Sequence, residues 1–567
     1  MKQVIADLLG KKLKLNKIEI ENLIEIPPNL GMGDYSFHCF VLSKKLKRSP
    51  TEIAIQLAGD LNKKVMKGIE KVEAKGAYVN FFVDKVDLAE SVIKLALKDS
   101  FGKPNIVKKQ KVLIDFSGPN IGKPMHIGHI RSTIIGDSIL RIYDFLGYKV
   151  IGINYLGDVG LHIGKLIVAY ELWLNKEELE KDPVKELLRL YVKFCDNEKT
   201  EYQEGLEEEF QDNGWTLKAK EKLKLLEIGD IKTEKIWKDI LKHSQKGFNR
   251  IYDMLNVEFH ETTGQSLFSE KGKQIITSAL EKSLAKIDKD GAVYVELNDF
   301  GLPKKYVLRN NGTASYITQD IGSAVERYKK YNPDKIIYIT DFRQELHFKQ
   351  LSAILKKFGY NFSDKIVHVG FGTVNFGNEI MATRKGKIIL LEDVLKKTVE
   401  KAEYEINKRK TKGNKENIGV GAIKFAFLKN DPIKDVNFSW EQALNFEGES
   451  GPYIQYSYAR ASSILRKARS KKMISKIKIP KLNNQEILLI KKILEFPDIV
   501  KSAGDKLNPS LISNYSFQLA QIFNEFYHTC PVINSENEDF RLRLIGSFRS
   551  TIRKSLYLLG IEVMEEM

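Results

Sequence analysis

Residues 115–131 read Asp-Phe-Ser-Gly-Pro-Asn-Ile-Gly-Lys-Pro-Met-His-Ile-Gly-His-Ile-Arg and gather two imidazoles, an ammonium and a carboxylate into one stretch. That set suits the binding of phosphate and the stabilisation of charge that develops on it. His126 and His129 can donate hydrogen bonds to phosphate oxygens, and Lys123 adds a full positive charge. Gly118, Gly122 and Gly128 let a ligand approach the backbone, while Pro119 and Pro124 restrict the loop. The tetrapeptide His126-Ile127-Gly128-His129 is a weak signal alone, because a loop histidine is more often a surface residue than a catalyst. Its placement gives it weight.

Periodicity supplies that placement. Val112-Leu113-Ile114-Asp115-Phe116 reads as a strand, and a helix begins near His129 with Ile130, Ile134, Ile135, Ile139, Ile142 and Leu146 on one face. Lys149 to Tyr155 is the next strand, which completes a right-handed βαβ unit. A loop between a strand's carboxyl end and a helix's amino end is where phosphates bind in doubly wound α/β folds, and the helix dipole adds about half a positive charge there. Residues 1 to about 100 read as a separate α/β module. It has a helix opening at Pro50-Thr51-Glu52, a strand from Tyr78 to Val83, and a glycine-rich turn, Asn29 to Phe37, able to expose Tyr35 and Phe37.

Residues 175–245 read as a charged helical insertion with no chemistry of its own, and Gly291 to Leu297 as a strand in a second insertion. The α/β pattern then resumes with a helix from about Ile317 to Tyr331, a strand from Lys335 to Thr340, a helix from Glu345 to Phe358 and a strand from Ile366 to Val369. From about residue 445 the period is helical to the end. A basic run from Arg466 to Lys481 lies there, with eight Lys or Arg and no acid, which is either a solvated linker or a source of phosphate attraction.

Lys and Arg exceed Asp and Glu by 17 in this 567-residue chain, which favours a polyanionic partner such as nucleic acid over a merely solvated lysine-rich surface only if other features agree. Hydrophobic residues at 43% imply an ordinary soluble protein with large cores. Cys39, Cys195 and Cys530 lie far apart, with no disulfide or zinc spacing, as expected of reduced thiols in a cytosolic protein. Asp7 interrupts the only apolar stretch near the amino terminus, which makes a poor secretory signal, and no run is long enough to span a bilayer.

The loop resembles the "HIGH" motif of class I aminoacyl-tRNA synthetases. Ser117 to His126, followed by Arg131 to Asp137 and by Asn154-Tyr155-Leu156-Gly157-Asp158-Val159-Gly160, resembles the arginyl-tRNA synthetase family more narrowly. Met381-Ala382-Thr383-Arg384-Lys385-Gly386 is similar to that family's degenerate "KMSKS" loop. Gly448 to Tyr456 with Ala459-Arg460 is similar to its junction into the anticodon-binding domain. Gly33-Asp34-Tyr35-Ser36 resembles its amino-terminal domain, and Leu558 to Met567 its ending. The resemblance runs in order along the whole chain.

It implies a multidomain α/β fold: an amino-terminal tRNA-contacting α/β domain over 1–105, a Rossmann-like catalytic domain over 106–400 with insertions at about 170–245 and 265–312, and an α-helical anticodon-binding domain over 401–567. It also implies ATP-dependent ligation of L-arginine to its tRNA through an arginyl-adenylate, with activation requiring bound tRNA. Magnesium would be held mostly by the ATP phosphates rather than by a protein cage, and nothing demands more than a monomer.

A guanidinium calls for carboxylates. By resemblance Asp115, Asn120, His126, Tyr316, Asp320 and Gln344 fall on the family's arginine positions, with Tyr316 and Asp320 one helical turn apart. Read without it, Asp320 would be an exposed helix acid. Some members carry Glu at position 115, so here the charge is kept and the reach is shorter. On the ATP side stand Lys123, His126, Gly128, His129, Met381, Arg384 and Lys385, with Lys123, His126 and His129 the catalytic group. Aligned on Met381, the two lysines of "KMSKS" fall on Ile380 and Thr383, so Lys123 is expected to share the cationic work with Arg384 and Lys385. For tRNA the candidates are Tyr35, Phe37, Tyr453, Gln455, Tyr456, Arg460 and Met567, although the tyrosines equally suit core packing. Two rivals stay open: a synthetase for another amino acid, against which the acidic Asp115 and Asp320 argue, and a non-enzymatic RNA-binding relative, against which both histidines argue.

Overall fold

A computed structural model describes residues 2–13, 16–27, 30–63, 68–104, 109–199, 213–375, 389–468 and 479–567. The amino-terminal part holds a four-stranded antiparallel sheet of β1 (Ile24–Glu25), β2 (Tyr35–His38), β3 (Ile69–Lys75) and β4 (Tyr78–Val83), in the order β1-β2-β4-β3. Pro50–Asn62 packs on it as a helix, with Ser49 accepting a cap hydrogen bond from the Glu52 N–H.

The expected glycine-rich turn is therefore partly a strand. β2 pairs on both sides, and Tyr35 and Phe37 are 2% and 0% exposed in the core. They cannot stack on RNA bases from there, which corrects the expectation for both. The aromatics this module does expose are Phe40 and Tyr78, whose rings meet edge to face with centroids 6.0 Å apart.

The next strands are β5 (Lys111–Asp115), β6 (Lys149–Leu156), β7 (Glu261–Gly264), a short antiparallel trio of β8 (Lys286–Ile287), β9 (Val293–Val295) and β10 (Lys305–Leu308), then β11 (Lys335–Asp341) and β12 (Ile366–Phe371). Five of them form one parallel sheet in the order β12-β11-β5-β6-β7. Strand order reverses at β5, so the loop after β5 opens at the sheet's topological switch point.

Side-chain alternation assigns the two faces. Val112 and Ile114 pack with Ile130, Ile134 and Ile135 of the helix Gly128–Phe145, whereas Leu113 packs with Ile317 and Ile321 of the helix Tyr316–Tyr331. Gly136 lets the first of these helices lie close, since a Cβ there would sit 2.2 Å from the Phe116 ring. Downstream, the helices Leu391–Arg409 and Lys415–Leu428 lead to a two-residue strand, Val436–Asn437, that pairs with Val374–Asn375, and the helices Gly451–Ala468, Asn484–Leu494, Phe496–Asp505, Ser510–Thr529 and Glu538–Leu558 then form the all-α part. Among the described residues no helix is long and apolar enough to cross a membrane.

Candidate active site

The loop 116–127 turns through Ser117 and Gly118, with φ of 72° and 57°. The strain at Ser117 is offset by its contacts: its N–H donates to Ser132 Oγ at 2.9 Å, and its hydroxyl lies 2.9 Å from both Thr133 Oγ1 and Tyr252 Oη. The 154–160 stretch forms the facing wall. Ile121 N–H donates to the Gly157 carbonyl at 3.0 Å, Gly157 N–H to that of Pro119 at 3.1 Å, and Gly118 N–H to Asn154 Oδ1 at 3.1 Å. Asp158, buried at the end of β6, accepts from the Ser266 N–H and hydroxyl at 2.8 and 2.6 Å.

The two histidines stand with ring centroids 4.0 Å apart. The Gly128 N–H points at His126 Nδ1, and the His126 N–H at His129 Nδ1, each at 3.1 Å. A backbone N–H only donates, so both Nδ1 atoms accept and both protons sit on Nε2. His129 Nδ1 also lies 3.3 Å from the His126 carbonyl, but the fixed donor is the nearer partner. Burial pushes His129 down to about 3, with His126 adding to the fall; His126 is lowered by burial and by Lys123. The pair is therefore neutral near pH 7 and presents two Nε2–H donors at a helix amino end. Gly128 serves this geometry: its N–H is spent on His126, and a Cβ would stand 2.9 Å from His126 Cε1. That N–H is therefore engaged within the protein.

Lys123, three residues before His126, is partly buried, and burial lowers its pKa. Its Nζ lies 4.6 Å from the centroid of the Tyr191 ring, on the helix Pro183–Lys199 of the first insertion. The helix Ile231–Leu255 also grips this region: Ser244 Oγ accepts from the Gly122 N–H at 2.8 Å, and Trp237 Nε1 donates to the Asp158 carbonyl at 2.8 Å. The insertion, read from sequence as having no chemistry of its own, thus packs directly against the loop.

Asp115 shares Leu113's face of β5 and so looks toward the helix Tyr316–Tyr331 rather than the histidines. There it meets a resident guanidinium, Arg327 Nη1, 2.6 Å from Oδ2, with both side chains buried. Burial pushes Asp115 above its usual range against the pull of Arg327. Burial alone would lower Arg327, but Asp115 with Tyr338 and Tyr155 drives it up. Arg327 also lies over the Tyr155 ring at 4.6 Å. The expectation that Asp115 is open to a bound guanidinium is thus corrected.

Asp320 is held at Oδ2 by His347 Nε2 at 2.6 Å, and Oδ1 takes no hydrogen bond among the described residues. Tyr316 is 56% exposed, one turn before Asp320. Gln344 is exposed at the turn that follows β11, and Asn120 is exposed beside Gly157. Arg327, His347 and Tyr191 were missed from sequence. Only the i, i+7 spacing of Asp320 and Arg327 on one helix hinted at the first.

Met381, Arg384 and Lys385 lie outside the described residues. The chain returns at Ile389, whose carbonyl accepts from the Ile127 N–H at 3.2 Å, and Leu391 N–H donates to the Met125 carbonyl at 2.9 Å. Most of the 466–481 run also lies outside the described residues.

In the all-α part Tyr453, Tyr456, Arg460 and Met567 line one cavity of about 680 Å³, together with His528 and Arg409. The Arg460 guanidinium lies 4.8 Å from the Tyr456 ring and 4.9 Å from that of Tyr527. Gln455 is 0% exposed and donates to the carbonyls of Asn417 and Glu562 at 3.0 and 2.8 Å. It ties helices to the carboxyl-terminal tail and has no surface for RNA, which corrects that expectation. Among the described residues no group of three or more His, Cys, Asp or Glu is arranged to hold a metal.

Three family models match in sequence order: "Arginyl tRNA synthetase N terminal domain" over 1–83, "tRNA synthetases class I (R), catalytic domain" over 91–440, and "DALR anticodon binding domain" over 454–567. The arginine–tRNA ligase of Clostridium botulinum (strain Alaska E43 / Type E3) is 41% identical, and that of Clostridium beijerinckii 40%, each alignment covering 100% of both chains. Among solved structures, the arginyl-tRNA synthetase of Plasmodium falciparum superposes with a TM-score of 0.80 at 25% identity, covering 100% of this chain and 98% of that one. That of Thermus thermophilus has the same fold, with a TM-score of 0.80 at 24% identity and coverage of 100% and 99%.

Proposed function

Since the chain belongs to the arginyl-tRNA synthetases of class I, we propose how its side chains divide the work of the reaction. The reaction is the ATP-dependent charging of tRNA with arginine through an adenylate. A carboxylate oxygen of arginine attacks the α-phosphorus and pyrophosphate leaves with the electron pair of the broken P–O bond. A terminal ribose hydroxyl of the tRNA then attacks the carbonyl carbon, loses its proton, and AMP leaves. Neither step needs a nucleophilic side chain, so positioning and charge stabilisation carry the rate.

The observation that carries the assignment is the pair of imidazoles at the amino end of Gly128–Phe145 whose Nδ1 atoms accept backbone N–H groups, with no hydrogen bond at Nε2 among the described residues. His126 and His129 donate to phosphate oxygens, and Lys123 supplies the charge that Ile380 and Thr383 lack. Met381, Arg384 and Lys385 approach the same phosphates, a reading supported by the anchoring of 389–391 to 125–127. Magnesium enters on the ATP phosphates.

On the other side Asp320 takes the substrate guanidinium, flanked by Tyr316 and Gln344, and Asn120 and His126 hold the amino-acid end. Asp115, already neutralised by Arg327, forms the floor. Phe40 with Tyr78, and the Tyr453, Tyr456, Arg460 and Met567 cavity, are the tRNA-facing surfaces. One copy of the chain suffices, and cytosolic conditions would keep its three thiols reduced.

Charging unfractionated tRNA with each of the twenty amino acids in turn should yield product with arginine alone; another amino acid, or none, overturns the reading. Lys123→Ala should slow arginine-dependent ATP–pyrophosphate exchange about tenfold or more, and an unchanged rate would make Lys123 a bystander.

A further inference from the structure

Lys123 has an unusual partner for a phosphate-binding lysine. The face of the Tyr191 ring lies 4.6 Å from its Nζ, and the groups that act on its charge are burial, Cys195 and Lys165, with no carboxylate among them. Lys165 repels Lys123 and is itself answered by Glu198, which is buried and also accepts from the Thr216 hydroxyl at 2.7 Å, so the nearby carboxylate is already engaged. Tyr191 stands on the helix Pro183–Lys199, one turn before Cys195. The ammonium's charge lowers both His126 of the loop and His162 of the helix Leu161–Trp173.

This arrangement has a physical advantage. A carboxylate would hold Lys123 but cancel its charge. An aromatic face attracts the ammonium through the ring quadrupole and leaves the charge intact for an incoming anion.

We propose that Tyr191 is a positioning residue for the phosphate chemistry: its ring holds the Lys123 ammonium at the ATP phosphates without neutralising it, and the first insertion thereby forms one wall of the active site. The inference rests on the assignment of Lys123 to those phosphates.

The test is steady-state ATP–pyrophosphate exchange by the full-length enzyme with tRNA present. Tyr191→Leu should lower kcat about tenfold, with the arginine KM within about twofold and the thermal midpoint unmoved. Tyr191→Phe, which keeps the ring face, should retain kcat. In a Lys123→Met background, Tyr191→Leu should cost nothing more. Full kcat in the leucine variant, or an undiminished loss in the Lys123→Met background, overturns the inference. A Lys123→Met enzyme with wild-type exchange would instead remove the assignment of Lys123, and the inference with it. Should the leucine variant not fold, a ring-fluorinated phenylalanine at 191 keeps the shape and drains the face of negative charge. Its kcat should fall below that of Tyr191→Phe, and equality of the two overturns the inference.

Discussion

Asp115 and Asp320 carry the same charge near the same cleft and are used differently. Asp115 meets Arg327 at 2.6 Å in a buried pair, so the two charges cancel, and Asp320 is the carboxylate we propose for the substrate guanidinium. Asp320→Ala should therefore raise the arginine KM far more than the ATP KM in pyrophosphate exchange; equal effects would argue against direct guanidinium contact. Arg327 predicts a different signature. Arg327→Met strands a buried carboxylate and should destabilise the fold by about 3–5 kcal/mol, seen as a lowered thermal midpoint. Adding Asp115→Asn should restore much of it, because the stranded charge is then gone. Two losses that simply add would show that the pair is not coupled.

The elements hold these residues through close backbone approach. The 120 and 157 positions form a bridge between the phosphate loop and the end of β6, and a Cβ on Gly157 would stand 1.9 Å from Asn120 Oδ1. That atom is the end of a flexible side chain, so Gly157→Ala should fold with little loss of stability while displacing the Asn120 amide. The expected readout is a raised arginine KM at an unchanged thermal midpoint. Elements with a long period were legible in sequence: Gly128–Phe145, Tyr316–Tyr331 and the core strands β5, β6, β11 and β12 lie within a residue or two of their expected bounds. β2 was not, because four residues beside a glycine-rich turn have no period to read. Its strand character comes from pairing with β1 and β4, which are distant or short in sequence.

At the scale of the whole molecule, the excess of 17 positive charges favours a polyanionic partner, and the cavity of the all-α part is the surface we propose for it. Arg460 lies near two tyrosine rings there and also donates to Asn524 Oδ1 at 2.6 Å, so its guanidinium is held by the protein itself. Arg460→Ala should raise the tRNA KM in aminoacylation and leave the arginine KM at saturating tRNA unchanged. Wild-type tRNA affinity should fall linearly with salt on logarithmic axes, with a slope of about 0.7–0.9 for each phosphate neutralised. A variant slope equal to that of the wild type would mean that Arg460 touches no phosphate.

The chain by itself determined the doubly wound architecture, the loop after β5 and the family resemblance, because these rest on local periodicity and on contiguous motifs. What only the tertiary structure decided is which charged and aromatic side chains are already taken. Asp115 by Arg327 across 212 positions, Asp320 by His347, Lys123 by Tyr191, and Gln455 by the carboxyl-terminal tail are pairings between elements far apart in sequence. No spacing encodes them, since each depends on which face of a strand or helix the packed core turns toward its neighbour.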